Sequence, residues 1–101
     1  MTVMSVYIIG HAKVTDPAGF QKYAETVAGL AEQYGGKLIG RGAGETKTVI
    51  EGSQFKEGMV VIFEYPSLEK YQEYVSSEKY QEGKAHRVNA GTLDVVVVPS
   101  S

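Results

Sequence analysis

The chain has 101 residues, 43% hydrophobic and 22% charged, with a formal net charge of -2 and no cysteine. That length suits one domain around one hydrophobic core, taken here as residues 1–101. Scattered basic residues exclude the clustered cationic surface that nucleic acid requires, and the missing thiols exclude disulfides, thiolate nucleophiles and zinc–thiolate sites.

The opening MTVMSVYIIGHAKV has neither a basic n-region nor a small-residue cleavage site. No apolar run approaches the ~20 residues that span a bilayer. A cytoplasmic protein without membrane or nucleic-acid partners is expected. Val3 to Val14 reads as the first strand. Met4, Val6, Ile8, Gly10, Ala12 and Val14 give it one apolar or small face for helices to cover. The opposite face carries Tyr7 and Ile9 among polar residues, more apolar surface than a solvated face needs.

Thr15-Asp16-Pro17 starts a helix, with Asp16 as cap and Pro17 in the first turn, where a missing N–H costs nothing. Phe20, Tyr23, Ala24, Val27, Leu30, Ala31 and Tyr34 line one helix face, and Gly35-Gly36 ends it. Lys37 to Gly44 is a glycine-rich strand, expected to bend or bulge, and Thr46 to Glu51 continues or re-forms it. Gly52 to Gly58 is a loop. Met59 to Tyr65 is an apolar central strand that Pro66 stops. Ser67 caps a helix over Leu68 to Val75; Ser76 and Ser77 break it and recap a second, from Glu78 to about Asn89. Leu93 to Val98 is the last strand, and its valine run predicts burial on both faces.

The order strand, helix, strand, strand, helix pair, strand predicts an α+β, ferredoxin-like βαββαβ fold with a four-stranded antiparallel sheet covered by helices on one side. The uncovered side exposes Tyr7, Ile9 and part of the last strand. A two-fold homodimer with facing sheets is the economical way to bury that patch.

These segments resemble the domain of unknown function 1330 family, within the dimeric α/β-barrel superfamily. The likeness rests on Thr15-Asp16-Pro17 with Phe20 and Tyr23, on Tyr34-Gly35-Gly36 with Arg41-Gly42, and on Glu51-Gly52. It continues through Val61 to Ser67 (VIFEYPS), Ser77 to Tyr80 (SEKY), His86-Arg87 and Asp94 to Val98. Tyr65 departs mildly, standing where the family more often has Phe. The resemblance implies a ferredoxin-like protomer, a homodimer and no settled reaction. Its superfamily includes cofactor-free monooxygenases and isomerases, and fold does not imply function.

Glu64 ends the central strand inside an apolar run, and in strand order 4-1-3-2 it lies beside the start of the second strand, near Arg41. Arg87 is placed to approach the same rim. A carboxylate between two guanidiniums would suit a small polar or anionic ligand, or would serve as a general base if desolvated. The competing reading is a salt bridge, favoured because arginines lower a neighbouring carboxylate's pKa. Tyr80 is weighed as a hydroxyl donor to the ligand, whereas Tyr71 and Tyr74 read as packing. His11 and His86 lack metal-ligand spacing; no metal or cofactor is expected. His11 is expected far from Glu64, at the other end of its strand, and His86 at the surface. The glycines around Arg41 do not form a phosphate loop, which needs Gly-Lys-Ser/Thr before a helix.

The sequence thus predicts a small-molecule cleft between sheet and helices, formed by Glu64 as candidate catalytic carboxylate with Arg41, Tyr80 and Arg87 as ligand contacts. Two alternatives stand: a non-catalytic dimerisation or interaction domain, and a cofactor-free monooxygenase- or isomerase-like enzyme.

Overall fold

The structure, a computed structural model, describes residues 5–101. Strands Val6–Val14 (β1), Lys37–Ala43 (β2), Met59–Tyr65 (β3) and Gly91–Pro99 (β4) form one sheet in the order β2-β3-β1-β4. Every neighbouring pair is antiparallel. Helices Pro17–Thr26 (α1), Leu30–Gln33 (α2), Leu68–Ser76 (α3) and Glu78–Arg87 (α4) complete the predicted ferredoxin-like α+β arrangement. The first-strand residues predicted at positions 3 and 4 lie outside the described residues.

Caps set the helix boundaries. The Asp16 carboxylate accepts from the Ala18 amide at 3.2 Å, with Pro17 in the first turn. Ser77 joins the helix pair: its hydroxyl donates to the Tyr74 carbonyl at 2.7 Å and accepts from the Tyr80 amide at 3.2 Å. One group thus serves a helix end and a helix start, so α3 and α4 meet at a fixed bend.

The helix predicted to run unbroken to Tyr34 is instead two helices. Gly29 takes a left-handed conformation (φ 76°) between them. Just before the break, the Thr26 hydroxyl donates to the Lys22 carbonyl at 2.7 Å, a back-bond that loosens a helix end. The apolar spacing persists across the break, which is why periodicity alone does not reveal it.

Two further expectations are corrected. Residues 46–51 do not extend the sheet: Gly44–Thr46 form a 3-10 turn, and β3 begins at Met59 opposite Ala43, so the ladder has no further partner to offer. The last strand is not buried on both faces. It is an edge strand, with Val95, Val96 and Val98 left 44%, 54% and 41% exposed.

The core lies between the sheet's helix-facing side and the helices. Val6, Ile8, Leu30, Tyr65, Tyr74 and Tyr80 are its buried members, with Tyr23, Tyr34, Phe63, Tyr71 and Val97 among those packed against them. Six of the chain's seven tyrosines therefore share one layer. Tyr65 is only 2% exposed, and Gly36 makes room for it: a Cβ there would stand 2.6 Å from the ring's Cζ. Gly36→Ala should therefore cost about 1–3 kcal/mol, the usual penalty of overpacking a filled core. Urea unfolding should show a lower midpoint with an unchanged slope; an unshifted midpoint would show that the ring has room to retreat.

Candidate functional site

The four residues singled out from the sequence separate into two places. Arg87 and Tyr80 stand two turns apart on α4, which puts them on one helix face. The Arg87 Nη2 donates to the Tyr80 hydroxyl at 2.7 Å. The guanidinium carbon also lies 5.0 Å from the Tyr23 ring centre and 5.9 Å from that of Tyr80. Arg87 is half-buried, and its Nε is wholly shielded from solvent without a hydrogen-bond partner among the described residues. No carboxylate among those residues pairs with it; the ion pair present there is Lys70–Glu73, on the outside of α3.

Glu64 and Arg41 are not part of this cluster, nor of a pair with each other. Glu64 lies opposite Tyr7 and Lys37 on the face turned away from the helices, where it accepts from the Ser5 hydroxyl at 3.0 Å. Arg41 is exposed and lies opposite Val61, with its Nε donating to the Met59 sulfur at 3.2 Å. Even a regular ladder would leave Arg41 four residues along the sheet from Glu64, about 13 Å, and a bulge between Leu38 and Gly40 separates them further. A regular ladder from Lys37–Glu64 would set Arg41 opposite Val60, on the Glu64 face; one inserted residue reverses the parity and sends Arg41 to the other side. The bulge itself is predicted from the glycines, but its position is not.

The aromatic layer gives the Arg87 site its character. Ring centres run in contact from Tyr65 to Tyr74 (5.7 Å), Tyr74 to Tyr80 (4.9 Å) and Tyr80 to Tyr23 (6.2 Å). Burial raises the Tyr65, Tyr71 and Tyr74 phenols above their ordinary range, with neighbouring phenols adding to the effect, and Tyr71 is pushed up to about 12. Tyr23 is raised too, first by burial and then by Tyr80, while Arg87 opposes the rise. The predicted space between sheet and helices is thus filled by phenol rings, with one cation at its edge. Tyr23 is the member sequence reasoning missed as a contact; its helix-face spacing placed it in the core without revealing the arginine above it.

On the other side of the sheet, residues 44–58 arch over a groove of about 590 Å³ lined by Ile9, Val60, Ile62, Val49, Ile50 and Phe55. His11 is buried beneath this arch, its Nε2 2.8 Å from the Glu57 carbonyl and its ring edge-on to Phe55 at 5.2 Å. His86 is exposed, as predicted. Among the described residues no three His, Asp or Glu side chains gather as a metal site would need. No described helix is long and apolar enough to cross a membrane.

Comparison with known proteins bears on this geometry. The family model Domain of unknown function (DUF1330) matches residues 5–101. No curated protein matches the chain significantly. Among solved structures, the RPA0582 protein of unknown function from Rhodopseudomonas palustris superposes with a TM-score of 0.76 at 19% identity, covering 98% of this chain and 82% of that one. SnoaB, a cofactor-independent oxygenase from Streptomyces nogalater, gives a TM-score of 0.65 at 15% identity, with 97% and 94% coverage. A dimeric ferredoxin-like protein of unknown function from Thermobifida fusca gives 0.62 at 14% identity, with 100% and 93% coverage. These likenesses show the ferredoxin-like fold.

The raised phenols make stability sensitive to alkali. Each stays protonated in the folded chain where its unfolded counterpart, near pH 10, ionises. Their stabilisation is complete below pH 10 and is lost as pH rises through the folded values, about 12 for Tyr71. The urea midpoint should fall steadily between pH 10 and 12, less steeply in Tyr71→Phe, and phenolate absorbance should show a delayed group of tyrosines. A flat midpoint across that range would contradict the desolvated layer.

Proposed function

This chain belongs to the DUF1330 family, and we propose that it is a single-domain, homodimeric α/β-barrel protein that binds a small anionic molecule at Arg87 and Tyr80, at the margin of the tyrosine layer between helices and sheet. The observation that carries this reading is the arginine itself. A guanidinium withdrawn from water is costly unless its charge and donors are met. Here it meets one phenol oxygen and two ring faces, leaving Nε–H and the net charge unanswered. A carboxylate or phosphate oxygen at the solvent-facing part of the side chain would supply the missing counter-charge, since the planar fork of arginine suits such groups, while Nε–H stays enclosed by protein atoms. Tyr80 fixes the guanidinium plane; Glu64 and Arg41 lie outside the site.

The dimer half of the reading rests on the open sheet face, where Tyr7, Ile9, Val60, Ile62, Val96 and Val98 alternate along three adjacent strands. Charged or polar groups (Lys37 and Glu64 at one end, His11 and Asp94 at the other) rim this apolar middle. That is the anatomy of an interface core and rim, and two-fold association lets one such face cover another. The dimeric Thermobifida fusca structure supports the same assembly.

A second reading is cofactor-free oxygenase or isomerase chemistry. It is favoured by the fold shared with SnoaB and by Arg87, which opposes the burial-driven rise at Tyr23 and would likewise stabilise a substrate enolate or phenolate.

Thermal denaturation with sodium acetate, benzoate, phosphate and chloride at equal ionic strength tests the binding reading. At least one organic or phosphate anion should raise the Tm of the wild-type chain by several degrees beyond chloride. An anion present at a hundred times its Kd stabilises by about 2.7 kcal/mol, and ~1 kcal/mol moves a domain of this size by roughly 4–8 °C. Arg87→Gln should abolish the shift and Glu64→Gln should keep it. If none of the anions shifts the Tm and Arg87→Gln merely lowers it, the arginine is a packing residue and the interaction-domain reading takes over.

A further inference from the structure

The bulge after Leu38 turns Arg41 to the side of the sheet that carries Arg87. Leu38 and Arg41 lie opposite Phe63 and Val61, and Phe63 packs against the buried core, so this parity faces the helices. Helix cover ends before this edge of the sheet. Leu38 is 52% exposed, and Arg41 and Ala43 are exposed as well. Among the described residues Arg41 has no carboxylate partner; its Nε donates to the Met59 sulfur, a weak acceptor. As part of an edge strand, Arg41 also borders the groove on the opposite face.

The floor beside Arg41 is apolar and leads toward Arg87. Arg41, Val61, Gly10 and Val95 form one row across the sheet, from β2 through β3 and β1 to β4. A Cβ at Gly10 would stand 3.3 Å from the Val61 Cγ1 and 3.5 Å from the Leu93 Cδ1, so those two side chains close over the glycine and leave the floor level. Arg87 comes from the roof. It is the last residue of α4, and four residues later the chain enters β4 at Gly91, opposite Val14. The Thr15 and Asp16 amides donate to the Ala90 carbonyl at 2.8 and 2.9 Å, which pins the end of α4 over the end of β1. Ala12, Met59 and Ala43 share that end of the sheet, and Arg41 is two residues from it. β2 and β1 stand two strand spacings apart, about 10 Å. A molecule of a few carbons spans such a gap.

We propose that the anion of this site is a short aliphatic dicarboxylate, held at one end by Arg87 beside Tyr80 and at the other by Arg41. The inference rests on the anion reading of Arg87 and names its ligand class. Arg41 stays outside the Arg87–Tyr80 contact and acts as the selecting residue. A monocarboxylate answers the half-buried guanidinium and leaves Arg41 in water; phosphate, compact around one centre, does the same. A dicarboxylate sets one charge on each guanidinium fork while its methylenes cover Val61 and Met59. An exposed ion pair adds only modestly to affinity. Arg87 therefore sets whether an acid binds, and Arg41 sets which one.

Titration calorimetry of the full chain with butyrate, succinate, glutarate and adipate, at constant ionic strength and with every carboxylate ionised, tests this. One diacid should bind about sixfold tighter than butyrate, about twofold from its two equivalent ends and about threefold from an exposed ion pair. The advantage should peak at one chain length. Arg41→Gln should keep the wild-type far-ultraviolet circular dichroism, since the side chain is exposed. It should also keep the butyrate affinity, while the diacid's advantage falls to the statistical factor alone. Butyrate binding without any diacid preference in wild type overturns the dicarboxylate and leaves the anion site standing. A preference that survives in Arg41→Gln overturns the role of Arg41 and the proposal with it. If none of the four acids binds, the dicarboxylate falls, and phosphate in the same cell decides whether the anion reading falls too.

Discussion

The tyrosine layer is the constraint on which the other elements depend. Tyr65 closes β3 and is held by rings from α3, and its volume fixes how near the turn at Gly36 comes to the sheet. Tyr74 and Tyr80 belong to different helices, but Ser77 bonds to both segments, so their rings meet at 4.9 Å. Phenol rings suit this place because they fill volume like phenylalanine while retaining a hydroxyl for a buried cation. The cation is Arg87, whose position on α4 follows from the same Ser77 bend. Helix geometry, core packing and candidate chemistry are therefore one arrangement viewed at three scales.

A contrast between the sheet's two faces explains why the chain has two candidate surfaces of different character. Beneath the helices, parity along β1 and β3 places Val6, Ile8, Phe63 and Tyr65 in the core. On the other side the same parity gives Tyr7, Ile9, Ile62 and Val60. The β3 side of that second face lies under the arch of residues 44–58, with Phe55 and the stem at Gly58 closing one end, while Val96 and Val98 of β4 stay exposed. The helix side offers a charge in need of an anion; the open side offers apolar surface in need of a neighbour. Neither need competes with the other, since four strands separate them.

Much of this was legible in the sequence, and the exceptions have physical causes. Element order, strand order, the Asp16, Ser67 and Ser77 caps and the apolar face of β1 all follow from local rules acting on few residues. Position-dependent features were harder. Gly29 breaks a helix whose apolar spacing continues regardless, and only its conformation reveals the break. Arg41 lies several residues along the sheet from Glu64, and the bulge near Ile39 turns it to the opposite face as well, so the pairing suggested by strand order does not form. The valines of the last strand look like a buried run because sequence cannot distinguish a strand buried within its own protomer from an edge that awaits cover. Tyr80 and Arg87 meet because their seven-residue spacing lies on one continuous helix, whereas the expected rim of Arg87 with Glu64 and Arg41 depended on register across strands.

That difference also decides which residues carry functional weight. A hydrogen bond between side chains on one helix can arise from packing alone, so the Tyr80–Arg87 contact does not by itself imply a ligand. What implies one is the imbalance around it. Apart from Lys47, whose Nζ meets the Gly58 carbonyl, the other lysines and arginines are exposed and keep their charges in water, where no counter-ion is required. Arg87 alone brings a fully shielded Nε to the edge of a phenol layer that resists ionisation, because burial raises those phenols and prevents them from serving as its anion. The same desolvation that stabilises the neutral layer leaves the guanidinium, bonded to the neutral Tyr80 hydroxyl, without an internal counter-anion among the described residues. The anion proposed above would neutralise the cation without asking a buried tyrosine to give up its proton.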